Sequence, residues 1–199
     1  MIPTAIKITR ADAGRRLSLD EYEAAEFDAE TLFELGRGTV VVSDVPDPKH
    51  LAQVLASKRQ FFRYDDAHPG RIHTIAGGNE CRLLLADLQS ERHPDLAIYK
   101  DAPPKEDIWS TWIPDIVIEV VSPGSEVRDY VEKREEYLQF GVREYWIVDA
   151  DKEEVLVLRR SRGKWKEEVV KESGVITTRL LPGFEFKCAK VFSAARAEE

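Results

Sequence analysis

One glutamate stands inside the most β-branched stretch of this chain, Asp115-Ile-Val-Ile-Glu119-Val-Val121. The run reads as a central strand, and a carboxylate buried there alone would cost several kcal/mol unless it is neutralised, paired or bound to a metal. The plain alternative is a structural salt bridge with an arginine. Asp115 lies four residues upstream on the same strand face, about 13 Å away at the usual rise, too far to share an ion with Glu119. It reads as a strand-entry residue. Asp95, in Pro94-Asp95, is better placed. If residues 96–99 pair antiparallel with 115–121, the start of one strand meets the end of the other and brings Asp95 towards Glu119. Two carboxylates and a backbone carbonyl then form an oxygen-rich half-cage suited to Mg²⁺ or Mn²⁺.

The segment after Gly124 adds a third group. At 100° per residue, Val127, Tyr130, Val131, Tyr137 and Leu138 fall on one predicted apolar stripe, with Lys133 at its margin. The long lysine stem can lie along apolar surface and carry its ammonium to the end of the glutamate strand. There it would hold an attacking water or stabilise a charged transition state. The alternative is an exposed Asp129–Lys133 pair worth a few tenths of a kcal/mol. Arg134 falls near the centre of the stripe, needs a carboxylate partner, and competes for the same role.

Elements must position these groups. Ser18 caps a short helix beginning at Leu19, and Phe33 to Val42 passes through Gly36 and Gly38 into a strand. Pro48 to about Tyr64 is predicted as an amphipathic helix with Leu51, Val54, Leu55, Phe61 and Phe62 inward. Short strands follow at 71–75, 81–86 and 96–99, then a loop from Lys100 to Ile113. After the glutamate strand come a helix from about Glu126 to Phe140 stopped by Gly141, a buried strand at 145–148, a strand at 155–158, and two or three more to about Phe186. The order describes a mixed α/β domain.

Composition bounds the function. The 199 residues carry 29 Lys+Arg and 37 Asp+Glu, a net charge of −8. Residues 20–34 hold seven of those acids and no base; without them the balance is 30 to 29, or −1. The acidity is therefore one local segment, read as a solvated face or a dock for a basic partner. No apolar run approaches the roughly 18 residues of a membrane span, and no signal-like apolar segment precedes Arg10, Arg15 and Arg16. Cys81 and Cys188 form no CxxC, which excludes a zinc ribbon and a disulfide scaffold and makes a reduced, cytoplasmic setting the expectation.

Three blocks carry a family resemblance: Pro94-Asp95-Leu-Ala-Ile-Tyr99, then Pro114 to Pro123 around Glu119, then Lys133-x₃-Tyr137-x₃-Gly141-Val-Arg-Glu-Tyr-Trp146-Ile-Val-Asp149. Phe33-Glu34-Leu with Gly38-Thr-Val-Val-Val, His50 at a helix start, and Leu181-Pro-Gly-Phe184 add to it. The pattern resembles the Uma family of putative restriction endonucleases, over roughly residues 17–187. The resemblance implies the PD-(D/E)XK nuclease fold, a mixed sheet flanked by helices, with additional N- and C-terminal strands. It implies Mg²⁺-dependent phosphodiester hydrolysis, with Asp95 and Glu119 as metal ligands and Lys133 as catalytic lysine. The superfamily pattern places a lysine two residues after the glutamate; Val121 stands there, so Lys133 substitutes from the helix. Residues 1–16 and 188–199 are expected to be tails.

Other groups are weaker candidates. Glu34 adds an acid to the site or simply precedes a turn, and His50 faces the metal or caps its helix. Ser122 lacks a G-x-S-x-G setting and reads as a turn residue. His93 beside Asp95 hints at a His/Asp site, but four scattered histidines without H-E-x-x-H make poor zinc chemistry. Gly36-Arg-Gly38 and Gly77-Gly78 lack the Lys-Ser/Thr of a P-loop. The four tryptophans read as core or interface. Lys49, Lys58, Arg59 and Arg63 would touch phosphates or form a solvated face. The expectation is thus an endonuclease acting on nucleic acid, DNA above RNA, and compatible with a homodimer. The rival is a nuclease-fold module with weak or lost catalysis that binds DNA or a protein.

Overall fold

A computed structural model describes residues 6–29, 31–43 and 46–198. Strands β1 (Lys7–Ile8) and β2 (Glu26–Phe27) pair in parallel and flank helix α1 (Leu19–Glu23). Ser18 opens α1 with a capping box, its Oγ accepting the Glu21 N–H while the Glu21 carboxylate accepts the Ser18 N–H. Strands β3 (Leu32–Gly36) and β4 (Thr39–Ser43) form a hairpin. Its two-residue turn, Arg37 and Gly38, has both φ angles positive, which matches the right-handed twist of the strands. The expected turn and single strand are therefore two strands.

Helix α2 (Pro48–Ala67) starts where Asp47 accepts the His50 N–H, with Pro48 at its first position. Strands β5 (Thr74–Ala76), β6 (Leu83–Leu85), β7 (Ser90–Arg92) and β8 (Leu96–Tyr99) follow. A single turn of helix, α3 (Ile108–Thr111), interrupts the expected loop before β9 (Ile116–Val120). Residues 126–140 are helical as expected, with a π-helical turn at Arg128–Glu132 leading into α4 (Lys133–Phe140). Gly141, at φ 108°, closes it. Strands β10 (Glu144–Asp149), β11 (Glu154–Ser161), β12 (Lys164–Lys171), β13 (Val175–Thr177) and β14 (Glu185–Lys187) precede helix α5 (Cys188–Arg196).

Two sheets dominate. The larger has the order β12-β11-β10-β9-β8-β5, with β9 and β10 parallel across the helical crossover and the other pairs antiparallel. The smaller has the order β4-β3-β7-β6. On β9, Ile116, Ile118 and Val120 enter the core that includes Phe61 of α2 and Val191 and Phe192 of α5, while Val117 joins Tyr137 and Tyr145 on the other side. Strand alternation puts Glu119 on that second side, towards α4.

Four expectations need correction. The inward stripe on α2 is mostly outward: Phe61 is buried, but Leu51, Leu55 and Phe62 are each about half exposed. Its buried face instead carries His50, Gln53, Ser57, Gln60 and Tyr64, with Ser57 and Gln60 bonded to backbone carbonyls. The stripe on the second helix is also misplaced. Val127 is 67% exposed and Val131 53%, while Asp129, Lys133 and Glu136 are buried. The N-terminal segment is no tail over its described part, residues 6–16, since Ile8 is fully buried and Arg16 bridges to Thr39; residues 1–5 lie outside the described residues. The C-terminal segment is α5, whose Cys188, Val191, Phe192 and Ala195 are buried; residue 199 likewise lies outside the described residues.

Candidate active site

Strands β8 and β9 pair with Leu96 opposite Ile118, so the next step along each strand sets Asp95 against Glu119. The antiparallel pairing expected from the sequence is present, and both residues line a cleft of about 550 Å³. Asp95 is held from two sides. Its Oδ2 accepts the Val120 N–H at 2.7 Å, and its Oδ1 lies 3.1 Å from His50 Nε2. A carboxylate only accepts, so Nε2 carries the proton and the imidazole is oriented by its second contact, Ser122 Oγ at 2.9 Å from Nδ1. Burial works against protonation of His50, but the bond to Asp95 and its charge raise the pKa above the usual value. Gly77 packs on the Asp95 backbone so tightly that a Cβ would lie 2.1 Å from the Asp95 carbonyl oxygen.

Glu119 is 3% exposed. Its Oε1 accepts the Tyr137 hydroxyl at 2.6 Å and lies 3.0 Å from Lys133 Nζ; Oε2 takes no hydrogen bond among the described residues. Burial drives its pKa upward, Lys133 opposes, and the charges of Asp95, Asp129 and Glu34 tip the balance, leaving it at about 8. Lys133 is buried among three carboxylates: Glu119, Asp129 at 3.5 Å and Glu34 at 3.9 Å. Desolvation would release its proton, but those carboxylates hold it and push the pKa well above the ordinary lysine range.

Glu34 enters from β3 of the smaller sheet. Its Oε1 accepts the His93 N–H at 2.9 Å, and its Oε2 lies 3.2 Å from Arg92 Nη1. Burial would raise its pKa, yet Lys133, Arg92 and the His93 amide together lower it to about 2. Arg92, fully buried on β7, also grips Glu136 of α4 at 2.7 Å and 3.1 Å. One arginine therefore ties the strand bearing Glu34 to the helix bearing Lys133.

The structure thus brings Asp95, Glu119, Lys133, Glu34 and His50 to one cleft. Other candidates fall elsewhere. Asp115 accepts the Lys100 N–H and pairs with Arg143, as a strand-entry residue would. Arg134 pairs with Glu167 of β12 and does not compete with Lys133. His93 spends its ring nitrogens on Glu91 and the Cys81 carbonyl. Lys58 pairs with Glu80, and Arg59 and Arg63 are exposed on α2.

A family model described as "Putative restriction endonuclease" (Uma2) matches residues 19–191. This chain belongs to the Uma2 family. The fold agrees with the crystal structure of a putative nuclease of the DUF820 group from Anabaena variabilis ATCC 29413. That similarity has a TM-score of 0.74 at 21% identity and covers 90% of this chain and 99% of the other. No curated protein matches the sequence. Among the described residues of this Uma2 chain, no helix is long and apolar enough to cross a membrane.

Sequence reasoning missed four residues of the cleft and its supports. From the sequence Tyr137 reads as a stripe residue and a member of the family's motif, with no polar role, and Asp129 only as half of a surface pair. Arg92 and Arg128 drew no attention. The usable signal was periodicity: Ser125, Asp129, Lys133 and Tyr137 recur every four residues, which places them along one helix face.

Does the donor set fit a divalent ion? Four carboxylates, Glu34, Asp95, Glu119 and Asp129, line the cleft, three of them around Lys133; burial first, and then this excess of negative charge, makes Glu119 hold its proton more tightly. A divalent cation would relieve that excess. Mg²⁺ is commonly held by one or two carboxylates, with water and phosphate filling its other positions. Asp95 and Glu119 match that demand. Among the described residues, no group of three or more His, Cys, Asp or Glu side chains is arranged to hold a metal ion.

Proposed function

We propose that this protein is a divalent-metal-dependent endonuclease that hydrolyses phosphodiester bonds, with DNA as substrate. Asp95 and Glu119 would hold Mg²⁺ or Mn²⁺, and Lys133 is the catalytic lysine. The observation that carries the reading is the convergence of Asp95 and Glu119 across β8 and β9 with Lys133 Nζ 3.0 Å from Glu119, all on the wall of an open cleft. When bound, such an ion polarises a phosphate oxygen and lowers the pKa of water beside it.

The chain's own residues supply the rest. The Val120 amide and the His50 ring fix the Asp95 carboxylate in rotation, and Ser122 fixes the ring. Tyr137 anchors Glu119 through Oε1, leaving Oε2 for a ligand. Lys133 keeps its proton, so it serves as a cation and hydrogen-bond donor and not as a general base. It steadies an attacking water or neutralises charge that develops on the phosphate. A homodimer would supply the second site that cutting both strands requires. The two cysteines, both buried and unpaired, suit the reducing cytoplasm.

A second reading is a catalytically silent module that binds DNA or a protein partner. The residue favouring it is Val121, half-buried in the apolar cluster of Tyr137 and Tyr145, where the superfamily pattern carries lysine. Calorimetry with Mn²⁺ on wild type, Asp95→Ala, Glu119→Ala and Lys133→Ala separates the two. Binding lost in both carboxylate variants and kept in the lysine variant, followed by cleavage of duplex DNA by wild type alone, supports the nuclease. A wild type that takes up no Mn²⁺, with or without DNA, sinks it in favour of the silent module.

A further inference from the structure

The cleft wall carries two permanent cations, and they are treated differently. Lys133 is enclosed by Glu119, Asp129 and Glu34. Arg128 lines the same cleft but makes no ion pair or side-chain hydrogen bond among the described residues, and its Nε is shut off from solvent without an acceptor. Neighbouring acids are committed elsewhere. Asp129 accepts the Ser125 hydroxyl at 2.5 Å and faces Lys133, while Glu132 reaches towards Arg92 at 3.5 Å. A shielded donor left without a partner is costly, and folded proteins rarely keep one unless something else completes it.

The surroundings say what would complete it. Arg128 opens the π-helical turn, an irregularity that is frequent at functional sites. Its charge reaches Glu34 across the cleft, so the guanidinium bears on the interior of the site. Its planar fork of donors matches the paired oxygens of a phosphate. We propose that Arg128 is a phosphate-binding residue of this cleft, donating to the non-bridging oxygens of a nucleic-acid phosphate seated beside Asp95 and Glu119. The inference rests on the nuclease reading given above and adds the group that grips the substrate backbone where the carboxylates would repel it.

The test is anisotropy of a labelled duplex oligonucleotide titrated with wild type, Arg128→Met, Arg128→Lys and Arg134→Met. Each is run over a salt series in Ca²⁺ and again in chelator, with melting curves for every variant. Loss of one phosphate contact should weaken binding roughly tenfold in Arg128→Met and flatten the log affinity–log salt slope by about 0.9. Arg128→Lys should keep the slope and lose part of the affinity. Arg134→Met, whose arginine pairs with Glu167, should match wild type. The Arg128→Met melting temperature should hold or rise, since a buried donor without an acceptor is removed. Wild-type binding with an unchanged slope in Arg128→Met overturns the role of Arg128 and leaves the nuclease reading standing, and a lowered melting temperature alongside that slope assigns the arginine to stability. A wild type that binds no duplex in either buffer overturns both.

Discussion

At Glu119, burial and three neighbouring carboxylates outweigh Lys133, so the folded protein holds a proton there that the unfolded chain releases near pH 4.5. Between 4.5 and about 8 the native state binds more protons than the unfolded state, and stability falls as pH rises through that window. Glu119→Gln in metal-free buffer should therefore gain stability at pH 8 relative to wild type, by up to a few kcal/mol, and little at pH 5. Urea unfolding at the two pH values measures this; an equal effect at both would show that the carboxyl does not titrate there. Glu34 has the opposite sign. Its lowered pKa contributes stability that is present above 4.5 and lost as pH falls towards 2. Tyr137→Phe removes the 2.6 Å bond to Glu119 and should cost about 1–2 kcal/mol. It should also slow cleavage while sparing Mn²⁺ binding, and a variant as stable and as active as wild type would deny the hydroxyl any role. Glu119, Asp95 and Lys133 were legible because each breaks a pattern: a charge in a β-branched strand, a Pro-Asp before a strand, a lysine beside apolar neighbours. Asp129, Arg92 and Arg128 break none, since polar residues at those places look solvated until the fold is known.

The helix from 126 to 140 shows why element positions were easier to read than element faces. Its limits follow from the Ser-Pro-Gly-Ser turn and Gly141, local signals that act through backbone conformation. Its orientation follows instead from what lies opposite. Glu119 and Glu34 draw Lys133 inward, Arg92 draws Glu136, and the valines are left outside. An apolar-stripe rule assumes that burial is driven by hydrophobic area, and here ion pairing and hydrogen bonds decide the face. The same rule failed on α2, where polar residues line the buried side. Strand β7, three residues long, carries too little sequence to signal itself, yet it brings Arg92 between two elements. Arg92→Met leaves Glu34 and Glu136 buried without their cation and should cost about 3–5 kcal/mol. A chemical denaturation midpoint within error of wild type would show that Lys133, 3.9 Å from Glu34, and Arg37, 3.7 Å from Glu136, suffice for those carboxylates.

Across the molecule, the acidity of residues 20–34 resolves into two parts. Asp20, Glu21, Glu23 and Glu26 face solvent, while Glu34 at the far end turns into the cleft. Composition and pattern indicate the mixed α/β class, the β8–β9 pairing and the helix between β9 and β10, but not that those two strands run parallel. The division into two sheets depends on long-range pairing that short strands do not announce. That division has a consequence in time. Asp95 and Glu119 belong to the six-stranded sheet and Glu34 to the four-stranded one, so their amides need not open together. Exchange with deuterated water should be slowest over β9 and β10, which are flanked by strands on both sides, and faster over β3 and β4. Arg92→Met should widen that gap by speeding exchange in β3 and β7 alone. Uniform acceleration through β9 would instead make the two sheets one cooperative unit. If the gap exists, the protein visits brief states in which Glu34 has let go of Lys133 while the paired carboxylates stay in place.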